Sequence, residues 1–385
     1  MKKLSLLLML PMLSIMVAGC FTIKKDTSEI NIGAVYNLTG SQRDLDGPSA
    51  QGARAAVENI NRKGGILGRK VVLSIADGES QPRIVAEKTA RLLETNSSMP
   101  AIIGLSDTDM VLAAAPVAAK NKRVFLTSGA TSPLLPQQVP DYLFLACFGD
   151  NVQAAVGAEW AYASLGTRNV LIMYNQDSTY TRLLQGYFRT RFEDLGGRVL
   201  KIVPYTPDKL DTFTIEPAGI DMVYLAATPD EVLTALSKLR KAGISAPILG
   251  GDGLDIGTAW QKGNEFKDIF FTTHAYIGKD NNDPRIRRFR NAFAEVFPDT
   301  EPDAFTALGF DSINLLADAI TKAGRVDPEA VRKALASLSG FQGVTGTVRY
   351  LSGSNIPTKS VTIINVTHGK QNAVGQFIPV KTPQP

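Results

Sequence analysis

From residue 30 onward, short apolar runs alternate with longer stretches in which apolar residues recur every three or four positions. Residues 30–36 read as a buried strand, and residues 48–61 as a helix because Ala53, Ala56, Val57 and Ile60 fall on one face. Gly64 and Gly65 end that helix, and residues 71–76 supply the next strand. The alternation continues with a helix over 83–93, a strand over 101–104, a helix over 108–120 and a strand over 124–127. This pattern predicts an α/β fold with a mostly parallel sheet covered on both faces. A second series opens near residue 150 with a helix to 165, a strand over 170–174 and a helix over 181–195. Strands over 199–203 and 222–226, a helix over 230–242, and strands over 247–249 and 269–273 complete it. Two series predict two lobes. No stretch rich in Pro, Gly or Ser separates them, which argues against two domains joined only once. Amphipathic stretches over 285–297 and 304–323 look like helices returning to the first lobe, and strands over 361–366 and 376–380 return to the second.

The first residues follow a different rule. Lys2 and Lys3 precede an apolar run without an acidic residue, too short for the roughly 20 residues of a spanning helix. The run closes on Val17, Ala18, Gly19 and Cys20. It reads as a secretory signal, and its end resembles the lipobox of bacterial lipoproteins. That resemblance implies that residues 1–19 are removed, that Cys20 is lipidated, and that residues 20–28 form a lipid-bearing spacer. Ordinary signal cleavage beside an incidental cysteine is the alternative. Cys147 is the only other cysteine, so an acylated Cys20 excludes an internal disulfide and leaves stability to core packing. With 44% apolar and 20% charged residues the chain has the balance of a soluble globular protein. The net charge of +4 comes from scattered Lys and Arg, not from a patch, which argues against nucleic-acid binding.

Candidate chemistry lies at the ends of the first strands. The turn Thr39-Gly40, the segment NRKGGILG at 61–68, GLSDTDMVLAAAP at 104–116 and TSGATSP at 127–133 follow one another in order. Together they resemble the leucine/isoleucine/valine-binding proteins of ABC importers over nearly the whole mature chain. The resemblance implies a type I periplasmic binding protein: two Rossmann-like lobes joined by a three-strand hinge, with the ligand in the cleft. Lobe 1 would take 29–146 plus 277–350, and lobe 2 would take 147–276 plus 351–381. It further implies a monomer on the periplasmic side of the cell envelope, lipid-anchored to a membrane, which binds a small molecule such as an amino acid and delivers it to an ABC permease.

Residue type alone makes Thr108 a helix cap, Thr131 a turn residue, Asp252 an acid in the glycine turn LGGDGL, and Tyr180 a half-buried anchor for its helix. The resemblance instead puts Thr108, Gly129 and Thr131 around the head group of a ligand, with Asp252 facing its ammonium from the second lobe. It places Tyr180 and Leu45 against the ligand side chain. Thr108 opens a helix, where free N–H groups and the dipole favour an anion.

Two positions that often hold tyrosine in the family are Leu45 and Thr228 here, and Thr228 is sufficiently explained because Thr-Pro-Asp-Glu is a capping box. Asp107 and Asp109 flank Thr108 and would oppose an anion unless they cap the helix or point to solvent, which weakens the case for a standard amino acid and leaves a cationic or uncharged ligand open. No signature of catalysis, metal or cofactor is found: His274 and His368 are far apart, and neither glycine-rich stretch has phosphate-loop or dinucleotide spacing. Each histidine reads as structural or exposed. An enzyme is therefore not expected. The alternative is a lipoprotein of the same architecture that regulates cell-wall synthesis or signalling by touching a protein partner.

Overall fold

The computed structural model describes residues 28–210, 218–351 and 353–385; Cys20 and the signal lie outside the described residues. The first half of the chain alternates β1 (Ile30–Tyr36), α1 (Arg43–Arg62), β2 (Val71–Asp77), α2 (Pro82–Thr95), β3 (Ala101–Gly104) and α3 (Thr108–Lys120). It continues through β4 (Val124–Thr127), the single turn α4 (Leu135–Gln138) and β5 (Leu143–Leu145). These five strands form one parallel sheet in the order β2-β1-β3-β4-β5. Every residue of β3, β4 and β5 is buried, as parallel strands covered on both faces must be.

The second sheet has seven strands. It is built from β6 (Asn169–Asn175), β7 (Arg198–Tyr205), β8 (Met222–Ala226), β9 (Ile248–Gly250) and β10 (Ile269–Thr273), with β13 (Val361–Thr367) and β14 (Lys370–Phe377) added antiparallel at one edge. Helices α5 (Asp150–Ser164) and α6 (Thr179–Asp194) cover one face, while α7 (Val232–Lys241) and the buried Trp260 cover the other.

Helices α8 (Pro284–Ala294), α9 (Ala304–Ala323) and α10 (Pro328–Ala336) then return to the first sheet, sharing one core with α1. A short hairpin of β11 (Phe341–Gly343) and β12 (Gly346–Val348) follows. The α1–α9 crossing is unusually close. A Cβ on Gly52 would lie 1.8 Å from the Thr306 carbonyl, and one on Gly309 would lie 1.8 Å from the Ser49 carbonyl. Any larger residue at either position drives the helices apart.

Three connections cross between the sheets: 146–149, 274–283 and 349–360. The first and third lie side by side. Leu145 N donates to Asn355 O at 3.0 Å, Tyr350 Oη donates to Leu145 O at 2.8 Å, and the buried Lys359 Nζ donates to Ala146 O at 3.0 Å.

Several expected boundaries are corrected. The helix expected over 48–61 begins at Arg43, so Pro48 sits inside it; the extra turn is held by Leu45 N and Asp46 N bonding to Gln42 O. The helix expected over 230–242 opens as a 3₁₀ turn, Pro229–Glu231. The strand expected over 376–380 is Lys370–Phe377 instead, because His368 (φ 52°) and Gly369 (φ 73°) make a two-residue turn that fixes its register against β13. Ile378 and Val380, which suggested that strand, are 77% and 89% exposed.

Candidate functional site

The carboxyl ends of the first-sheet strands face those of the second across a seam, where open α/β sheets carry their ligands. Leu45, Thr131, Tyr180 and Asp252 line one small cavity there, together with Gln42, Ser106, Asp107, Thr228, Pro229 and Gly253. Its volume is about 10 Å³, room for about one water. The lobes are therefore closed. Asp109 Oδ2 accepts from Thr179 N at 3.2 Å, joining the start of α3 to the start of α6 across the seam, and Asp150 N donates to Thr131 O at 2.7 Å.

Thr108 and Gly129 lie behind this lining. Asp107, not Thr108, caps α3, its Oδ1 accepting from Met110 N at 3.1 Å. Thr108 occupies the first helical position and is buried, and its Oγ1 has no hydrogen-bond partner. Gly129 has a packing reason, since a Cβ there would meet Ser106 Oγ at 2.7 Å and Phe305 Cε1 at 3.1 Å. Leu45 is buried and belongs to the core between α3 and α9 as well as to the cavity wall.

In the second lobe Asp252 is the centre of a buried network. Its Oδ1 accepts from Tyr180 Oη at 2.8 Å and from Gln153 Nε2 at 2.7 Å, and its Oδ2 lies 3.1 Å from His274 Nε2. Tyr180 Oη in turn accepts from Gly253 N at 3.0 Å, and Gln153 Oε1 accepts from Asp252 N and from Thr272 Oγ1. The Tyr180 hydroxyl is thus bound to the acid and not left free over the cavity. His274 is buried and stacked on Phe148 with ring centres 4.1 Å apart. Burial holds its pKa below the usual histidine value despite the bond to Asp252.

Three more acids, Asp46, Asp107 and Asp150, crowd the seam beside Asp109 and Asp252. Asp46 is fully buried; its Oδ2 accepts from Asn37 N and Nδ2, both at 2.9 Å, and Ser106 is a further side-chain partner of the carboxyl. Burial pushes its carboxyl up to about 7. Asp107 rises to about 6 through burial and the charge of Asp109. Asp150 rises to about 8 through burial and the charge of Asp252; Gln153 donates to its Oδ1 at 3.0 Å, and Thr131 is a further side-chain partner of the carboxyl. Ser106, Asp107 and Thr228 at the cavity, and Asp46, Asp150 and Gln153 around it, are the residues that pattern reading missed or set aside. Asp107 and Thr228 were visible but explained as caps. Thr228 does serve that role, with its N donating to Glu231 Oε1 at 2.7 Å, and it also lines the cavity.

A wider groove of about 510 Å³ runs along the same seam past Asp255, Tyr276, Arg290 and Asp303. Arg290 and Lys279 are both paired to Glu301 there at 2.6 Å, and none of its lining side chains has a buried polar atom without a partner. The inner cavity is the better candidate. Among the described residues no group of His, Cys, Asp and Glu has the arrangement of a metal site, and no helix is long and apolar enough to cross a membrane.

Two α/β lobes hinged on three crossings, with polar side chains enclosed at their seam, make a bilobal binding protein. The chain belongs to the periplasmic binding protein family, whose pattern matches residues 29–371. It is similar to the Leu/Ile/Val-binding protein BraC3 of Rhizobium johnstonii, 26% identical over 350 residues that cover 89% of this chain and 93% of that one. Among solved structures it resembles the branched-chain amino acid transporter substrate-binding protein LivJ of Streptococcus pneumoniae in complex with isoleucine, with a TM-score of 0.81 and 23% identity over 92% of this chain and 100% of that one. The leucine-binding protein LivK of Thermotoga maritima superimposes with a TM-score of 0.78 at 27% identity, covering 91% and 99%.

Proposed function

We propose that the chain is the solute-binding lipoprotein of an ABC importer, which captures an amino acid or similar small molecule between its lobes by hinge closure. The observation that carries this reading is the seam cavity itself, which Leu45, Ser106, Asp107 and Thr131 of the first lobe and Tyr180 and Asp252 of the second line together, beside the buried Thr108 Oγ1, which has no hydrogen-bond partner. Buried polar atoms are almost always satisfied, and an exception beside a polar cavity between two lobes calls for a ligand. In this reading Leu45, Thr108, Gly129, Thr131, Tyr180 and Asp252 surround the solute, and the lobes divide at 146/147, 276/277 and 350/351. The names of the Rhizobium, Streptococcus and Thermotoga relatives support a branched-chain or related amino acid and a permease partner. None of these relatives is named as an enzyme.

A cavity of about 10 Å³ cannot admit such a solute without opening. Binding energy spent on both lobes then shifts an open–closed equilibrium. Solution scattering is expected to show compaction when a tightly bound solute, found by a thermal-shift screen, is added. Identical curves at saturation count against the reading.

The lipid anchor is proposed from Val17–Gly19 preceding Cys20 at the end of the apolar run. Cys20→Ser is expected to move the protein from the membrane fraction to the soluble envelope fraction. A serine variant that keeps its acyl mass would remove the anchor from the proposal.

A further inference from the structure

Resting on the seam cavity as an amino-acid site, we propose that His274 is its positioning residue: Nε2 holds one oxygen of Asp252 toward the solute's ammonium and ties that oxygen to the hinge. The first observation is how the bonds of the acid are divided. A carboxylate offers about four lone-pair sites. Tyr180 Oη and Gln153 Nε2 both donate to Oδ1, and among the described residues His274 Nε2 alone, at 3.1 Å, is bonded to Oδ2. The site left open is therefore on Oδ2. An ammonium that meets Asp252 in the cavity shares that oxygen with the imidazole, and the ring sets where the oxygen stands.

The second observation is where the ring sits. His274 follows β10 directly and opens the second crossing, and it is 1% exposed. It stacks on Phe148 of the first crossing, with ring centres 4.1 Å and planes 25° apart. Phe305, from the first turn of α9, meets it edge-on with centres 5.8 Å apart. Phe305 also stands against Gly129 of the first lobe, where a Cβ would lie 3.1 Å from its Cε1. One ring thus touches the acid of the second lobe, two of the three crossings and the wall of the first lobe. A hinge movement that shifts Phe148 or Phe305 against the ring moves Oδ2 with it, so the acid is aligned for an ammonium only when the lobes are closed.

The third observation is what the ring gives up. A carboxylate oxygen only accepts, so the proton between His274 and Asp252 belongs to Nε2. Nδ1 is then a buried acceptor, and it has no hydrogen-bond partner. A ring kept for packing alone would cost less as phenylalanine, which leaves no buried nitrogen unpaired. The bond to Asp252 is what sets histidine apart from phenylalanine here.

Calorimetry on the full chain with leucine, isoleucine and valine, each beside the acid that lacks only its ammonium (4-methylpentanoate for leucine), tests this. His274→Phe keeps the packing on Phe148 and Phe305 and removes the donor. It is expected to weaken the tightest of the three amino acids at least about tenfold and to leave the matching acid within about twofold. His274→Gln supplies an amide donor without the ring and is expected to recover most of the loss. Equal weakening of an amino acid and its matching acid, or amino-acid affinity kept in His274→Phe, overturns the positioning role while the receptor reading stands. Nitrogen NMR of the imidazoles is a second readout that needs no variant of His274 to fold, because the chain has two histidines and His368 is exposed. His274 is expected to carry its proton on Nε2, and a proton on Nδ1 overturns the bond to Asp252. Wild-type protein that binds none of the three amino acids overturns the ammonium assignment. Failure of every solute in a broader screen to compact the lobes would remove the receptor reading itself.

Discussion

At the hinge, the fully buried Asp311 accepts from Val344 N at Oδ1, and from Thr345 N and Thr345 Oγ1 at Oδ2, all within 2.8 Å. Lys359, buried beside it, donates to Thr345 Oγ1 at 2.6 Å and to Ala146 O at 3.0 Å. In the seam, Asp46 and Asp150 are as deeply buried, yet their partners are the neutral Asn37, Ser106, Thr131 and Gln153, and neither has a Lys or Arg bonded to it. Burial penalises the charged form of all three acids. Of the three, only the hinge acid has a cation, Lys359, that lowers that cost. The fold supplies a countercharge to the acid at the hinge and none to the two at the seam.

This contrast can be broken at either end. Lys359→Met removes the hinge cation and leaves the Asp311 carboxylate buried with only its Val344 and Thr345 donors, so a loss of about 1–3 kcal/mol in unfolding free energy is expected from denaturant titration. Adding Asp311→Asn should recover much of that loss, and an undiminished deficit in the double variant would mean that Lys359 acts through packing and not through charge.

The seam acid is expected to respond in the opposite sense. Asp150→Asn keeps an acceptor for Gln153 Nε2 but cannot ionise. The folded pKa of Asp150, about 8, lies above the ordinary carboxyl value of 3.8. The folded state therefore binds the extra proton between those limits, and the wild-type protein loses stability from this group as pH rises through that window. The variant should be near wild type at pH 4, more stable by about 1–3 kcal/mol at pH 7, and level in its advantage above pH 8. Denaturation midpoints across that range check the sign; a variant destabilised equally at all pH values would place Asp150 with the hinge acids.

Much of the fold was legible because its signals are local. The runs at β1, β3, β4 and β8 are short, apolar and buried, and their bounds follow from sequence. Missed elements have physical reasons. β5 is three residues long and owes its existence to pairing with β4 and to Asn355 from the third crossing. β14 was expected but misplaced, because it is an exposed edge strand and the apolar residues Ile378 and Val380 lie beyond its end. α10 is different: Asp327 caps Ala330 N, Pro328 stands at the first helical position, and Val331 and Leu335 share a face, all of which the sequence displays.

At the site, Leu45, Thr131, Tyr180 and Asp252 were brought to one cavity as expected. Their bonds were not legible, because the partners Gln153, Thr272 and His274 come from separate elements that only the closed second lobe assembles.

The glycine-paved crossing of α1 and α9 bears on how the chain acquires its shape. Gly52 and Gly309 lie in opposite halves of the sequence, yet α1, α9 and the β1–β3 strands share one core. A polypeptide emerging amino-terminus first completes all five strands of the first sheet before the helix that covers one of their faces exists. Closing so long a loop comes late and slowly, since its entropy must be met before its contacts return anything. The first lobe is thus the first to be made and among the last to be finished.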